Sequence, residues 1–164
     1  MTDKQRNAIS TILSAIPEDI RSFFGDAADH AMSLGYMPVL KGAKKTYVDF
    51  IKNKTGKIIM KIDIDPKFPP RLALQFFALR VYSGIFKQAV DERVQLLRDM
   101  GYEAGCYGCG KCDGTVGYAY DRPDGKPGFM CGRGVVTLPS FTAANVAEVN
   151  DAMTVQDKFF TDAI

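Results

Sequence analysis

Residues 47–65 read YVDFIKNKTGKIIMKIDID, and this stretch decides the fold class. Two runs rich in β-forming residues, 47–53 and 57–65, flank a short turn in which Gly56 permits the positive φ of a hairpin. In the second run, apolar side chains alternate with mostly charged ones, which is typical of a sheet covered on one face. The alternation returns in residues 71–79, where we expect a third strand, although a short helix also fits these residues. The stretch therefore predicts a three-stranded antiparallel sheet.

Four segments outside this sheet carry apolar residues at helical spacing and predict helices that cover it. They are residues 2–16, 17–34 and 83–100, with a last helix inside 143–163. Thr2 and Gln5 form a capping-box pattern at the start of the first predicted helix. Gly35 and Gly101 follow the second and third helices as left-handed caps. The expected fold is α+β: N-terminal helices packed on the three-stranded antiparallel sheet, a further helix, a cysteine-bearing β-hairpin and a C-terminal helix.

The composition is that of one ordinary globular domain. The chain has 164 residues, 46% of them hydrophobic, and a formal net charge of +2. This length suits a single domain with its own core, and the small net charge disfavours a strongly basic nucleic-acid binder. No apolar run reaches the ~18 residues of a membrane span, and the first residues, MTDKQRNAIS, have no apolar signal core. We therefore expect a cytoplasmic protein without a membrane segment.

The four cysteines of the chain fall within one short segment. They are Cys106, Cys109, Cys112 and Cys131. In a chain without an export signal, clustered thiols indicate metal binding rather than disulfides. The first three form two overlapping Cys-x-x-Cys units, so three sulfurs lie along one tight, glycine-rich loop. We predict that the four cysteines are metal ligands.

A β-hairpin is predicted to return the fourth sulfur to this loop. Residues 115–120 and 128–130 have strand-like sequence, and the turn signal DRPDGK lies between them at 121–126. Because the two ends of a hairpin lie side by side, we expect Cys131 to come next to the other three cysteines. The hairpin has few apolar residues of its own, so its folding is expected to depend on the bound metal.

Zn²⁺ is the first interpretation of this ligand set. Four thiolates about 2.3 Å from a tetrahedral Zn²⁺ form a closed structural site. A [4Fe–4S] cluster is the second interpretation, since Cys-x2-Cys-x2-Cys with a remote cysteine also suits a cubane. Ferredoxin sequences place proline after the last cysteine, however, and this chain has Gly132 there. The third interpretation is a set of reduced or reversibly oxidised thiols without metal.

Residues 105–134 resemble a zinc ribbon, with a Cys-x-x-Cys knuckle, a hairpin and a returning cysteine followed by glycine. A zinc ribbon has two Cys-x-x-Cys pairs, whereas here Cys131 stands alone and Cys106 would be the fourth ligand. The whole chain is also similar, more loosely, to a group of small bacterial proteins of uncharacterised function that end in such a hairpin. That resemblance implies an intracellular α+β fold and no particular activity. We divide the chain into an α+β body (1–104), the metal-binding hairpin (105–134) and a C-terminal helical segment packing on the body (135–164).

Other candidate groups have simpler structural interpretations. Six lysines cluster around the first hairpin and would suit a phosphate backbone: Lys41, Lys44, Lys45, Lys52, Lys54 and Lys57. Lysine protection of a strand edge accounts for the same pattern. His30 lies at the edge of a helical apolar stripe, which suits boundary packing. Asp63 and Asp65 would suit a hard cation or an acid–base pair, although a solvated strand face explains them as well.

No nucleophile–base pair is recognisable in the sequence, so we predict no catalytic residues. The sequence predicts a small zinc protein that acts as a non-enzymatic binding or regulatory module for a protein or small-molecule ligand. Nucleic-acid association through the lysines and electron transfer on an iron–sulfur cluster are the alternative functions.

Overall fold

The computed structural model of the chain describes residues 2–42, 44, 46–102 and 116–162. In this part of the chain, four α-helices, a five-stranded sheet and a two-stranded sheet form an α+β fold, which confirms the expected class. The helices are α1 (Asp3–Ser14), α2 (Glu18–Ser33), α3 (Gly84–Asp99) and α4 (Val146–Asp162). The strands are β1 (Met37–Lys41), β2 (Tyr47–Lys52), β3 (Lys57–Asp63), β4 (Arg71–Leu74), β5 (Gly117–Asp121), β6 (Pro127–Cys131) and β7 (Val136–Thr137).

The main sheet is antiparallel throughout and larger than the sequence predicts. Its strand order is β1-β2-β3-β4-β7, so one additional strand lies on each side of the three that the alternation predicts. β1 (MPVLK) escapes the sequence pattern because four apolar residues, including Pro38, follow one another without alternation, and β7 escapes it because it has only two residues. The strand expected over residues 71–79 is present but shorter, as β4 (Arg71–Leu74). The chain turns beyond it, where the Leu79 N–H donates to the Phe76 carbonyl (3.0 Å).

One face of this sheet forms the core together with the helices. The register aligns Phe50, Met60 and Leu74 across β2, β3 and β4, and all three are fully buried. Ile12 of α1 and Phe24 of α2 belong to the same hydrophobic cluster. The opposite face carries the row Val39, Asp49, Lys61, Ala73 and Thr137. The strands therefore alternate between an apolar and a more polar face, as the sequence predicts.

The predicted helix ends are present in the structure. Thr2 and Gln5 form the reciprocal capping box, with the Thr2 N–H donating to Gln5 Oε1 (2.7 Å). Gly35 and Gly101 follow α2 and α3 at φ values of +87° and +86°, which glycine adopts without strain. Thr142 caps a short 3₁₀ helix (Ala143–Asn145) that leads into α4. No helix in the described ranges is both long and apolar enough to cross a bilayer.

The hairpin of β5 and β6 shares the main hydrophobic core. Tyr118, Tyr120 and Met130 are buried in the same cluster as the helices and the sheet. The Arg98 guanidinium of α3 lies 5.7 Å from the centroid of the Tyr120 ring. The two tyrosines stand two positions apart in β5, so both project to the same side of the hairpin and form an apolar face with Met130. The expectation that the hairpin has few apolar residues of its own is therefore wrong. The hairpin is part of the packed body.

Candidate metal centre

The predicted hairpin is present and returns Cys131 to the start of β5. Cys131 is the last residue of β6 and pairs directly with Gly117, the first residue of β5. The intervening turn is closed by the Arg122 N–H, which donates to the Lys126 carbonyl (3.0 Å). Gly117 follows Cys112 by only five positions in the sequence. The hairpin therefore brings the fourth cysteine back to the chain position where the cysteine-rich segment ends.

Of the four predicted ligands, Cys131 alone lies among the described residues. Cys106, Cys109 and Cys112 fall within 103–115 and lie outside them. Within the described ranges, no three His, Cys, Asp or Glu side chains come together as a metal site, and Cys131 is a free cysteine there. The four-cysteine site stays a prediction, and the structure gives the surroundings of Cys131, one of its four predicted ligands.

The sulfur of Cys131 accepts a hydrogen bond from the backbone. The Arg133 N–H donates to Cys131 Sγ at an N···S distance of 3.5 Å. Hydrogen bonds of this kind disperse the negative charge of a thiolate and so favour it as a metal ligand. The half-buried Cys131 side chain shares one hairpin face with Gly117 and Phe129. Tyr118 projects from the other face into the core.

Two glycines beside Cys131 allow a closer approach of chain segments than side chains would permit. A Cβ on Gly132 would lie 2.8 Å from Phe77 Cδ1 and 3.0 Å from the Gly117 Cα. A Cβ on Gly117 would lie 2.6 Å from the Phe129 ring and closer still to a backbone carbonyl oxygen of β6. Both positions require glycine because the neighbouring atoms occupy the space of a side chain.

Three consecutive residues after β4 connect the base of the hairpin to the main sheet. Gln75 is buried, and its Nε2 donates to the Gly132 carbonyl (3.3 Å). The Phe76 N–H donates to the Tyr118 hydroxyl oxygen (3.3 Å), and the Phe77 ring packs edge-on to Tyr118 with 6.0 Å between the centroids. Burial raises the pKa of the Tyr118 hydroxyl well above its usual value. No local sequence pattern predicts the Gln75 and Phe76 hydrogen bonds, because the bonded partners are 57 and 42 positions apart.

The predicted lysine cluster divides between the two ends of β2. Lys41 and Lys44 lie near the β1–β2 connection, Lys52, Lys54 and Lys57 lie near the β2–β3 turn, and Lys45 is outside the described residues. The length of β2 separates the two groups by about 17 Å at about 3.3 Å per residue. Lys52 Nζ bonds Asp157 (2.6 Å), and Lys57 Nζ lies 5.6 Å from the centroid of the Phe160 ring. This arrangement does not favour one continuous phosphate-binding surface.

The other polar candidates make local contacts. His30 Nε2 lies 2.9 Å from the Thr154 hydroxyl oxygen and so links α2 to α4. Asp63 forms an ion pair with Arg71 (2.6 Å) and accepts a hydrogen bond from the Asp65 N–H (2.9 Å). The His30 contact agrees with boundary packing. The expectation that Asp63 and Asp65 share a solvated strand face is wrong, because β3 ends at Asp63 and the Asp63 carboxylate is partly buried in its ion pair.

A buried polar cluster that the sequence analysis missed joins α4 to β2. The Tyr36 hydroxyl donates to Asp157 Oδ1 (2.9 Å), and Lys52 Nζ donates to the same oxygen. Burial, and then the hydrogen bond to Asp157, raises the pKa of Tyr36 far above its usual value. The hydroxyl is therefore a stable donor, and the cluster holds α4 against the sheet.

Comparisons with models of known protein families, with curated proteins and with solved structures find no match. The similarity of residues 105–134 to a zinc ribbon accordingly remains a prediction based on cysteine spacing. The same holds for the similarity to small bacterial proteins that end in a cysteine hairpin.

Proposed function

We propose that this chain is a small zinc protein in which one structural Zn²⁺ is held by four cysteines: Cys106, Cys109, Cys112 and Cys131. The observation that carries the proposal is the position of Cys131 at the base of the hairpin. Cys131 is the cross-strand partner of Gly117, where the cysteine-rich segment ends, and its sulfur accepts a hydrogen bond from the Arg133 N–H. Both features suit a thiolate that returns to a cysteine-rich loop as the last of four ligands.

The donor set suits Zn²⁺ better than an iron–sulfur cluster. Four thiolates complete a tetrahedral Zn²⁺ site, and Gly132 stands where ferredoxin sequences have proline. We place the protein in the cytoplasm, where thiols stay reduced and available to metal. A [4Fe–4S] centre is the alternative, which metal analysis distinguishes directly.

A closed site of this kind supports the fold and does not perform chemistry. Four protein ligands leave no coordination position for water or substrate. We therefore propose a non-enzymatic binding or regulatory role towards a protein or small-molecule partner. Two exposed aromatic side chains near the hairpin base support a binding surface there. Phe129 shares the face of Cys131, and Phe159 packs edge-on to Phe77 with 5.3 Å between the centroids.

Metal analysis of protein purified without chelators tests the zinc site. We expect colourless protein with one zinc per chain and loss of that zinc in Cys131→Ser. Ala119→Ser is the matched control, since Ala119 is exposed on the same hairpin face and is not a predicted ligand. Brown protein that contains iron would support the cluster instead. Protein that takes up neither metal under reducing conditions would refute the site.

A further inference from the structure

Gln75 is a buried amide whose donor group contacts the hairpin beside Cys131. The residue is more than nine-tenths buried, directly after β4. Its Nε2 donates to the Gly132 carbonyl (3.3 Å), and its Oε1 has no hydrogen-bond partner among the described residues. An apolar side chain would leave no unpaired oxygen, so packing alone does not account for an amide here. The hydrogen bond that Gln75 donates to the Gly132 carbonyl is what distinguishes it from an apolar side chain at this position.

This bond acts on the peptide unit that contacts the Cys131 sulfur. The Gly132 carbonyl and the Arg133 N–H belong to one planar trans peptide and point in opposite directions. The oxygen accepts from Gln75, and the N–H donates to Cys131 Sγ (3.5 Å). Because the unit is planar, fixing its oxygen also fixes the direction of its N–H. A hydrogen bond to the carbonyl also polarises the peptide and makes the N–H a better donor.

We propose that Gln75 is a positioning residue for the metal ligand Cys131, an inference that rests on the proposed zinc site. Gln75 holds the Gly132–Arg133 peptide so that its N–H stays directed at the sulfur. A hydrogen bond from that N–H disperses the negative charge that the sulfur carries when it binds a metal ion, and so favours bound metal. Partners that act on a ligand in this way typically change metal affinity by about 10–100-fold when they are removed.

Gln75→Met tests the inference, because methionine is similar in length and apolar but has no donor. Gln156→Met is the matched control. Gln156 is fully buried, its Oε1 accepts the Ala78 N–H (2.9 Å), and its Nε2 is unpaired among the described residues. Each substitution removes one buried amide that makes one hydrogen bond. The hydrogen bond of Gln75 is made to the hairpin, whereas that of Gln156 is made to Ala78, outside the hairpin.

Zinc affinity and the cobalt spectrum are the two measurements. Competition with a chelator should show Zn²⁺ bound about ten-fold or more weakly by Gln75→Met and with wild-type affinity by Gln156→Met. The thiolate-to-metal charge-transfer bands of the Co²⁺ form should shift in Gln75→Met alone. Wild-type affinity and bands in Gln75→Met would overturn the inference and leave the zinc site standing. A wild-type chain that binds no metal would overturn both.

If Gln75→Met does not fold, a measurement on the wild-type chain still tests the N–H···S bond on which the inference depends. In protein loaded with an NMR-active cadmium isotope, an N–H···S bond transmits a scalar coupling between the amide proton and the metal. We expect this coupling at the Arg133 amide. Cadmium bound by the cysteines without coupling at Arg133 would overturn the inference.

Discussion

The base of the hairpin depends on two residues that have no side chain. Gly117 and Gly132 pack so closely that a Cβ on Gly132 would lie 3.0 Å from the Gly117 Cα. Neither glycine has a positive φ, unlike Gly35 and Gly101 at the helix ends. Crowding by neighbouring atoms, and not backbone conformation, is therefore what excludes a side chain beside Cys131.

Gly117→Ala should destabilise the protein by about 1–3 kcal/mol, because the new methyl group overlaps the Phe129 ring and the backbone of β6. Gly25→Ala is the control, since Gly25 lies inside α2 with no atom within 4 Å of the added Cβ. That change should stabilise the protein by about 0.5–1 kcal/mol. Urea unfolding at neutral pH measures both free energies. Equal stability of Gly117→Ala and wild type would show that the hairpin base is not crowded.

Asp157→Asn should also reduce the free energy of unfolding, by about 1–3 kcal/mol, since Asp157 accepts bonds from both Tyr36 and Lys52 in a largely buried place. The neutral amide no longer balances the Lys52 charge. Asp151→Asn, at an exposed position of α4, should stay within about 0.5 kcal/mol of wild type. The same urea titrations compare the two variants, and an equal effect of both would refute a role for the cluster in holding α4.

At the scale of the elements, the hairpin is held by aromatic packing as well as by its proposed metal. Tyr118 is fully buried, accepts the Phe76 N–H and packs edge-on to Phe76 with 4.8 Å between the centroids. The Cys131 end of the hairpin is held by the Gln75 bond to Gly132. Removal of metal should therefore affect the two regions differently.

Chelation of the metal should increase amide hydrogen exchange at residues 131–133 much more than at Tyr118 and Tyr120. The core tyrosines should remain packed, whereas the Cys131 sulfur would lose the proposed Zn²⁺ that orders it. Exchange followed by mass spectrometry, with and without chelator, resolves the two regions. Complete loss of protection over β5 would mean that the metal, and not Tyr118, holds the hairpin in place.

An element is predictable from the sequence where its residues repeat a clear polar–apolar pattern or a turn signal marks its end. Long periodic segments predict α1 to α4 and strands β2 and β3 because many residues repeat the same pattern. β1 does not alternate and β7 has only two residues, so their pairing with β2 and β4 is determined by tertiary contacts. The hairpin turn is predictable from residues 121–126, whereas the docking of the hairpin through Gln75 and Tyr118 involves residues distant in the sequence.

At the scale of the whole molecule, buried tyrosines link stability to alkaline pH. Burial is the main cause that raises the pKa values of Tyr36, Tyr82 and Tyr118 in the folded chain. In the unfolded chain tyrosine ionises near pH 10, so below about pH 10 all three are protonated in both states. Above that pH the unfolded chain loses protons that the folded chain retains, and folding stability decreases.

The contribution of these tyrosines to the free energy of unfolding should therefore be constant below about pH 10 and then decrease as the pH rises further. Tyr36→Phe should show a smaller decrease, because phenylalanine has no proton to lose. Urea titrations across this range, with tyrosinate absorbance recorded in parallel, measure the effect. A decrease that is as steep in Tyr36→Phe as in the wild type would show that Tyr36 contributes nothing to it.

X-ray absorption at the zinc edge tests the central claim most directly, because it counts the atoms bound to the metal. We expect about four sulfur neighbours at about 2.3 Å in the wild-type protein. Cys131→Ser should lower the sulfur count of any zinc that remains bound. Zinc surrounded mainly by nitrogen or oxygen, or a sulfur shell unchanged in Cys131→Ser, would contradict the assignment of Cys131 as the fourth ligand.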